Sequence, residues 1–136
     1  MTTIRAAARR RDGYIHDVEV DGHAFVVDEP SEDGGTDAGP SPTRLVAAAL
    51  ASCTAITVEM YAGRKGWELG HMEVNVEMES TDSGSRSFTV HMRVQCELDD
   101  DQLQRLLVIA GKCPVHRMLA SETPVSVEDR IERIPG

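Results

Sequence analysis

The stretch SPTRLVAAALASCTAITVEMYAGRKG, residues 41–66, decides how the rest of the chain is read. Ser41-Pro42 supplies an N-cap and a proline for the first helical turn, and the Ala-rich run that follows continues to Gly63 or Gly66. A long helix is predicted here. Leu45, Ala49, Cys53, Ile56 and Met60 recur at helical spacing, yet Ala47, Ala48, Ala51 and Ala55 make most of the other faces apolar too. Such a helix is expected to be buried nearly all round, and a chain of 136 residues does not easily enclose it alone, so a second subunit is expected to cover one face. Arg64 and Lys65 fall in the last turn, where cations complement the helix dipole.

On the N-terminal side, short β-favouring runs from Thr3 to about Asp28 are punctuated by Asp12-Gly13 and Asp21-Gly22, dipeptides that favour tight hairpin turns. They predict a β-meander. Between it and the helix, residues 29–40 carry Gly, Pro and acidic residues with almost no apolar side chain, which predicts a long acidic loop. On the C-terminal side, Met72 to Glu79 and Phe88 to Leu98 alternate apolar and polar residues, and Asp82-Ser83-Gly84-Ser85 joins them as a hairpin. Asp99-Asp100-Asp101 opens a further helix with Leu103, Leu106, Leu107 and Ala110 as its apolar stripe, up to Gly111. Cys113-Pro114 starts another short helix to about Ala120, and Pro124 to Ile131 alternates as a last strand. No internal repeat or linker divides the chain, so residues 1–136 are expected to form a single α+β domain.

A net charge of -9 argues against a surface that tracks phosphates, and no nucleic-acid partner is expected. Met1-Thr2-Thr3-Ile4-Arg5 shows no apolar leader, and no apolar run approaches the roughly 20 residues needed to span a bilayer, so the expectation is a cytoplasmic protein without a membrane partner. No phosphate-binding loop, hydrolase elbow or nucleotide fingerprint is present, and no cofactor is expected.

The three cysteines are an odd count for the reducing compartment expected, which points to thiols with individual roles. Cys96 shares the inward face of its strand with Val94 and Leu98 and reads as core. Cys113 sits at a helix start beside Lys112, His116 and Arg117, a setting that favours a thiolate. Cys53 lies mid-helix, where apolar surroundings raise a thiol pKa unless a cation reaches it from elsewhere. Zinc held by Cys53, Cys113 and His116 is a minor alternative, and no metal is assigned. Tyr61 and Trp67 read as packing at the end of the long helix.

Gly39-Pro40-Ser41-Pro42, Leu45 and Ala47 through Thr54, continued by Met60 through Trp67, resemble the first motif of the OsmC/Ohr family, the osmotically induced and organic-hydroperoxide-resistance proteins. Lys112-Cys113-Pro114-Val115-His116-Arg117 resembles the same family's second cysteine motif, and Asp28-Glu29-Pro30 with Gly34-Gly35 fits a variant of its loop. The resemblance covers essentially the whole chain. It implies an OsmC-like fold: N-terminal β-meander, long central helix, β-hairpin, second helix and C-terminal strands, intertwined as a homodimer with active sites at the interface.

The resemblance also implies chemistry. Cys53 would be the peroxidatic thiol that attacks an organic hydroperoxide or hydrogen peroxide, and Cys113 would resolve its sulfenic acid as a disulfide. A dithiol reductant, in the family often lipoyl groups on a carrier protein, would reopen that disulfide. Arg11 in Arg11-Asp12-Gly13 corresponds to the family's thiolate-holding arginine, with Arg9 and Arg10 adjoining it. Where family members carry Glu or Asp at the start of the long helix, this chain has Thr43 and Arg44; Arg44 itself, or Glu29, Glu32 or Asp37 from the loop, are the available substitutes. That departure keeps an alternative open: a non-catalytic dimer of the same fold that binds an apolar ligand or senses redox state.

Overall fold

The computed structural model describes residues 1–136. Its strands and helices give the α+β class expected, with three helices and two small sheets. The contacts group into two compact units, residues 1–49 with 76–89 and residues 50–75 with 90–136.

In the first unit, β1 (Ala6–Asp12), β2 (Ile15–Val20) and β3 (His23–Val27) form the predicted antiparallel meander in the order β1-β2-β3. The β2–β3 turn has positive φ at both central residues, 49° at Asp21 and 81° at Gly22, the backbone twist that matches a right-handed strand pair. Paired residues share a face. Ala8, Val18 and Phe25 therefore stand together, with Arg10, His16 and Val27 beside them, while Arg9 and Glu19 pair on the opposite face at 3.5 Å. The ladder shifts between Arg10 and Asp12, so Arg11 occupies a bulge.

The acidic loop is built around a residue that composition did not single out. Asp28 is 1 % exposed, and its carboxylate accepts hydrogen bonds from the backbone N–H groups of Glu29 (2.8 Å), Thr36 (3.1 Å) and Ala38 (3.0 Å) and from the Thr36 hydroxyl (2.8 Å). Its own N–H donates to Pro40 across the loop. The chain closes so tightly that a Cβ on Gly35 would lie 2.0 Å from the Glu29 carbonyl oxygen, and one on Gly39 2.2 Å from that of Val26. One 3-10 turn, Ser31–Asp33, is the loop's only regular structure.

The first helix, α1 (Pro42–Lys65), runs from the first unit into the second with the predicted bounds. It stops in a Schellman arrangement: Gly66 takes φ 71°, its N–H bonds to Gly63, and the Trp67 N–H reaches back to Ala62. Burial differs from expectation. The buried stripe is Leu50, Thr54, Val58 and Ala62, whereas Ile56 and Met60 are 51 % and 61 % exposed. With nearly every face apolar, the spacing could not choose among them; the packing partner does. By length and composition α1 is also apolar enough to cross a membrane, contrary to the expectation, because alanine and branched residues count alike whether they meet lipid or protein. Here its buried stripe meets protein.

That partner is α2 (Asp100–Ala110), which begins with a capping box between Asp99 and Gln102. Val58, Ala62, Leu106 and Ala110 form the core of the second unit, with Tyr61, Trp67, Leu69, Met72, Met92 and Leu98 packed around them. Full burial of side chains such as Val58 and Leu106 stabilises by about 1.5–3 kcal/mol each. Of the predicted α2 stripe, Leu106 and Ala110 are buried; Ile109 takes the third inward place, and Leu103 and Leu107 are exposed.

The predicted hairpin is β4 (Met72–Ser80) with β5 (Arg86–Val94), closed by Thr81 to Ser85 with Gly84 at φ 89°. β5 ends before Cys96, which is half-buried just beyond it rather than enclosed core. After α2 comes the short α3 (Pro114–Leu119). The expected strand at Pro124 to Ile131 does not form: these residues pair with no strand, and Val125, Val127 and Ile131 are exposed. Alternation supplies only a strand's two faces. A ladder also needs an edge to pair with.

Candidate functional site

Two turns of chain deliver the central thiols to one place in the second unit. After Ala110, the N–H groups of Lys112 and Cys113 bond back to Ile109 and Ala110, turning the chain. Cys113 follows in an extended conformation, and Pro114 opens α3. The Cys113 Sγ caps that helix by accepting the His116 N–H at 3.2 Å, as a serine or aspartate oxygen does elsewhere. The sulfur is fully buried. From α1, the Thr54 hydroxyl lies 3.9 Å from it.

Cys53, next to Thr54 and half-buried, acts on Cys113 through a side-chain hydrogen bond and through like charge. Burial first, and then Cys53, push the Cys113 thiol above its ordinary range; the His116 N–H and the Thr54 hydroxyl work in the opposite direction without prevailing. This corrects the expectation for Cys113. The helix start and its hydrogen bond are present, but α3 is only six residues long and the sulfur is dry, so the neutral thiol is favoured. Both cysteines are free thiols.

Arg11 lies in the first unit, where Asp17 holds it: Nε donates to Oδ2 at 3.1 Å and Nη2 pairs with Oδ1. That hydrogen bond and charge raise the guanidinium pKa and lower that of Asp17. Arg10 stands on the face of His16 and Val27. Thr43 and Arg44 are exposed, with Arg44 Nη1 donating to the Ser41 Oγ at 3.5 Å. Of the loop acids, Glu29 lines, together with Asp33, an open cavity of about 660 Å³ in the first unit. Its apolar walls are Ala8, Val18, Phe25 and Leu45.

No group of three or more His, Cys, Asp or Glu side chains converges as a metal cage. His116 meets the Cys113 sulfur through its backbone N–H, which donates rather than ligates. Tyr61 does more than pack. Trp67 meets it edge to face at 5.6 Å, Lys65 and Arg105 lie over its ring, and Arg105 Nε donates to its hydroxyl at 3.0 Å, lowering its pKa. Lys65 could have been read from its position four residues on; Arg105 could not. Thr54 and Asp28 fall within the stretches that carry the family resemblance, but the roles the structure gives them, beside the Cys113 sulfur and at the centre of the loop, were not assigned from the sequence.

The comparisons with known proteins agree with this architecture. An OsmC-like protein from Mycoplasma pneumoniae superposes with a TM-score of 0.74 at 16 % identity, covering 88 % of each chain. An organic hydroperoxide resistance protein OsmC from Legionella pneumophila gives 0.63 at 23 % identity, over 88 % of this chain and 90 % of that one. The organic hydroperoxide resistance protein OhrB of Bacillus subtilis gives 0.57 at 26 % identity, over 86 % and 90 %. A comparison with curated protein sequences finds no match. The profile of the OsmC-like protein family matches residues 34–128, a span that contains both cysteine motifs, and the chain belongs to that family.

Proposed function

We propose that this protein is a thiol-dependent peroxidase that reduces organic hydroperoxides, and hydrogen peroxide as a smaller substrate, working as an intertwined homodimer of single-domain subunits in the cytoplasm. The observation that carries the reading is the meeting of two free cysteines at Cys113, with one thiol half-exposed and the other buried and held neutral. The solved structures named as organic hydroperoxide resistance proteins support the substrate class.

The asymmetry of the pair assigns the roles. Cys53, reachable from solvent, attacks the peroxide as thiolate; one oxygen passes to sulfur, the O–O bond breaks, and the alcohol leaves with a proton. Cys113 then attacks the Cys53 sulfenic acid, forming the disulfide and releasing water. Its raised pKa keeps the proton on Cys113 until that step, so the two thiols do not compete for the peroxide. A dithiol reductant, such as lipoyl groups on a carrier protein, returns both thiols and becomes a disulfide itself. The thiolate-holding cation is Arg11, released from Asp17, or Arg10 on the other face of β1.

A second reading is favoured by the apolar cavity of the first unit and by Thr43 and Arg44 in place of an acid: a non-catalytic dimer that binds an apolar ligand or senses redox state. Mass spectrometry of thiol loss with cumene hydroperoxide separates the two. The peroxidase reading expects a rapid Cys53–Cys113 disulfide in the wild type and a sulfenic or over-oxidised Cys53 in Cys113→Ser. Oxidation no faster than that of free cysteine leaves the binding reading.

A further inference from the structure

The buried stripe of α1 reads Leu50, Thr54, Val58 and Ala62, and Thr54 is its polar exception. At 1 % exposure its hydroxyl has left water, whereas valine has nearly the same shape and would join the stripe with no polar group to satisfy. What the hydroxyl meets instead is the Cys113 Sγ, at 3.9 Å. Cys53 precedes Thr54 in the chain and hydrogen-bonds to the same sulfur, so one turn of α1 brings Cys113 both a thiol to join and a hydroxyl. The other donor to that sulfur, the His116 N–H at 3.2 Å, is fixed in place by the start of α3. A hydroxyl rotates. It accepts from the Cys113 S–H while the thiol is neutral and donates once the sulfur is a thiolate. Charge-assisted hydrogen bonds are shorter and stronger than neutral ones, so this contact tightens as the proton leaves.

We infer that Thr54 is a positioning residue for the resolving step: its hydroxyl supports the Cys113 sulfur as that sulfur becomes the nucleophile, and by speeding disulfide closure it protects Cys53 from a second oxidation. This rests on the peroxidase reading above. In the supported step Cys113 attacks the sulfenic sulfur of Cys53, the S–S bond forms as the S–O bond breaks, and the leaving hydroxide takes the Cys113 proton to become water. In the competing step a second hydroperoxide passes an oxygen to the same sulfenic sulfur, giving the sulfinic acid and an alcohol, and a dithiol does not reverse it. Both steps draw on one intermediate. Slower closure therefore raises the sulfinic yield per turnover, in proportion, at a fixed low peroxide concentration.

The test uses the full chain with Cys96→Ser, which leaves Cys53 and Cys113 as its thiols, and compares Thr54 with Thr54→Val and Thr54→Ser. The chromogenic disulfide DTNB adds to the half-exposed Cys53 and releases one thionitrobenzoate; Cys113 then displaces the second, and that release times its attack without any peroxide. Thr54→Val should slow the second release about two- to tenfold near neutral pH, the size of one hydrogen bond, and move its pH profile to the alkaline side; Thr54→Ser should restore both. The ionisable groups beside Cys113 are Cys53 on α1, tied up as the mixed disulfide during this step, and Lys112, His116 and Arg117 around it in the chain. They are common to all three proteins, so a difference between the profiles belongs to the hydroxyl. With cumene hydroperoxide, the sulfinic Cys53 formed per turnover should rise in Thr54→Val by the same factor, while its melting temperature is no lower than that of Thr54. An unchanged second release in Thr54→Val overturns the proposal. So does a release slowed alike at every pH in a protein that melts lower, with Thr54→Ser no better, because that is the result of lost packing. If DTNB closure responds to Thr54 while cumene hydroperoxide leaves Cys53 reduced, the peroxidase reading fails and the hydroxyl's support of Cys113 stands by itself.

Discussion

Asp28 and Cys113 are both buried ionisable groups at corners of the chain, both accept backbone N–H groups, and their pKa values move in opposite directions. The difference is donor count against burial. Asp28 collects three N–H groups and a hydroxyl, and its carboxyl falls to about 2, the Ala38 N–H contributing most. Cys113 collects one N–H at 3.2 Å and a hydroxyl at 3.9 Å, too little to offset burial and the neighbouring Cys53, so it rises. The first corner uses an ionised group to hold a loop; the second buries a neutral one next to a second thiol.

The largest effect expected from breaking this contrast is at Asp28. Asp28→Ala leaves the Glu29, Thr36 and Ala38 N–H groups without their acceptor and should lower the melting temperature by about 5–10 °C, with faster amide exchange confined to residues 29–40. Next is the pH dependence. A lowered carboxylate pKa contributes stability that is complete above the unfolded value near 3.8 and is lost as pH falls through about 2. Urea unfolding between pH 4 and 2 should therefore show a steeper loss in wild type than in Asp28→Asn.

Cys113 carries the opposite sign. A raised thiol pKa favours folding below the unfolded value and loses that contribution as pH climbs past it, so stability should decline on the alkaline side. Alkylation of native Cys113 by iodoacetamide should begin at higher pH than for free cysteine. Cys53→Ala removes two raising contributions and should bring that onset down; Thr54→Val removes a lowering one and should push it further up. The smallest effect belongs to the exposed Arg11–Asp17 pair. Asp17→Asn should move the melting temperature by no more than about 1–3 °C. If one of the two arginines holds the thiolate as proposed, Arg10→Ala or Arg11→Ala should slow the cumene hydroperoxide assay while the other leaves it unchanged; equal rates in both variants count against that role.

The meander, the long helix, the hairpin and α2 were legible because each repeats at its own period or is bounded by Gly, Pro or a capping acid. The two cysteine motifs were legible as a resemblance. Which face of α1 packs was not, since alanine removes the contrast that periodicity reads. The face of each N-terminal arginine was hidden by the bulge at Arg11, because one inserted residue exchanges the sides that alternation assigns. The raised Cys113 pKa was missed because capping is local in sequence whereas burial comes from elements distant in it. Asp28 was indistinct among neighbouring acids for the same reason: its value comes from amides as far as ten residues onward.

Composition marks residues 29–40 as the stretch most open to mutational drift, rich in glycine and acid and poor in apolar side chains. The close approaches at Gly35 and Gly39 reverse that ranking. No side chain fits at either position without displacing a backbone carbonyl, so in a full substitution scan these two columns should tolerate less than the exposed apolar positions Ile56 and Met60 of the central helix.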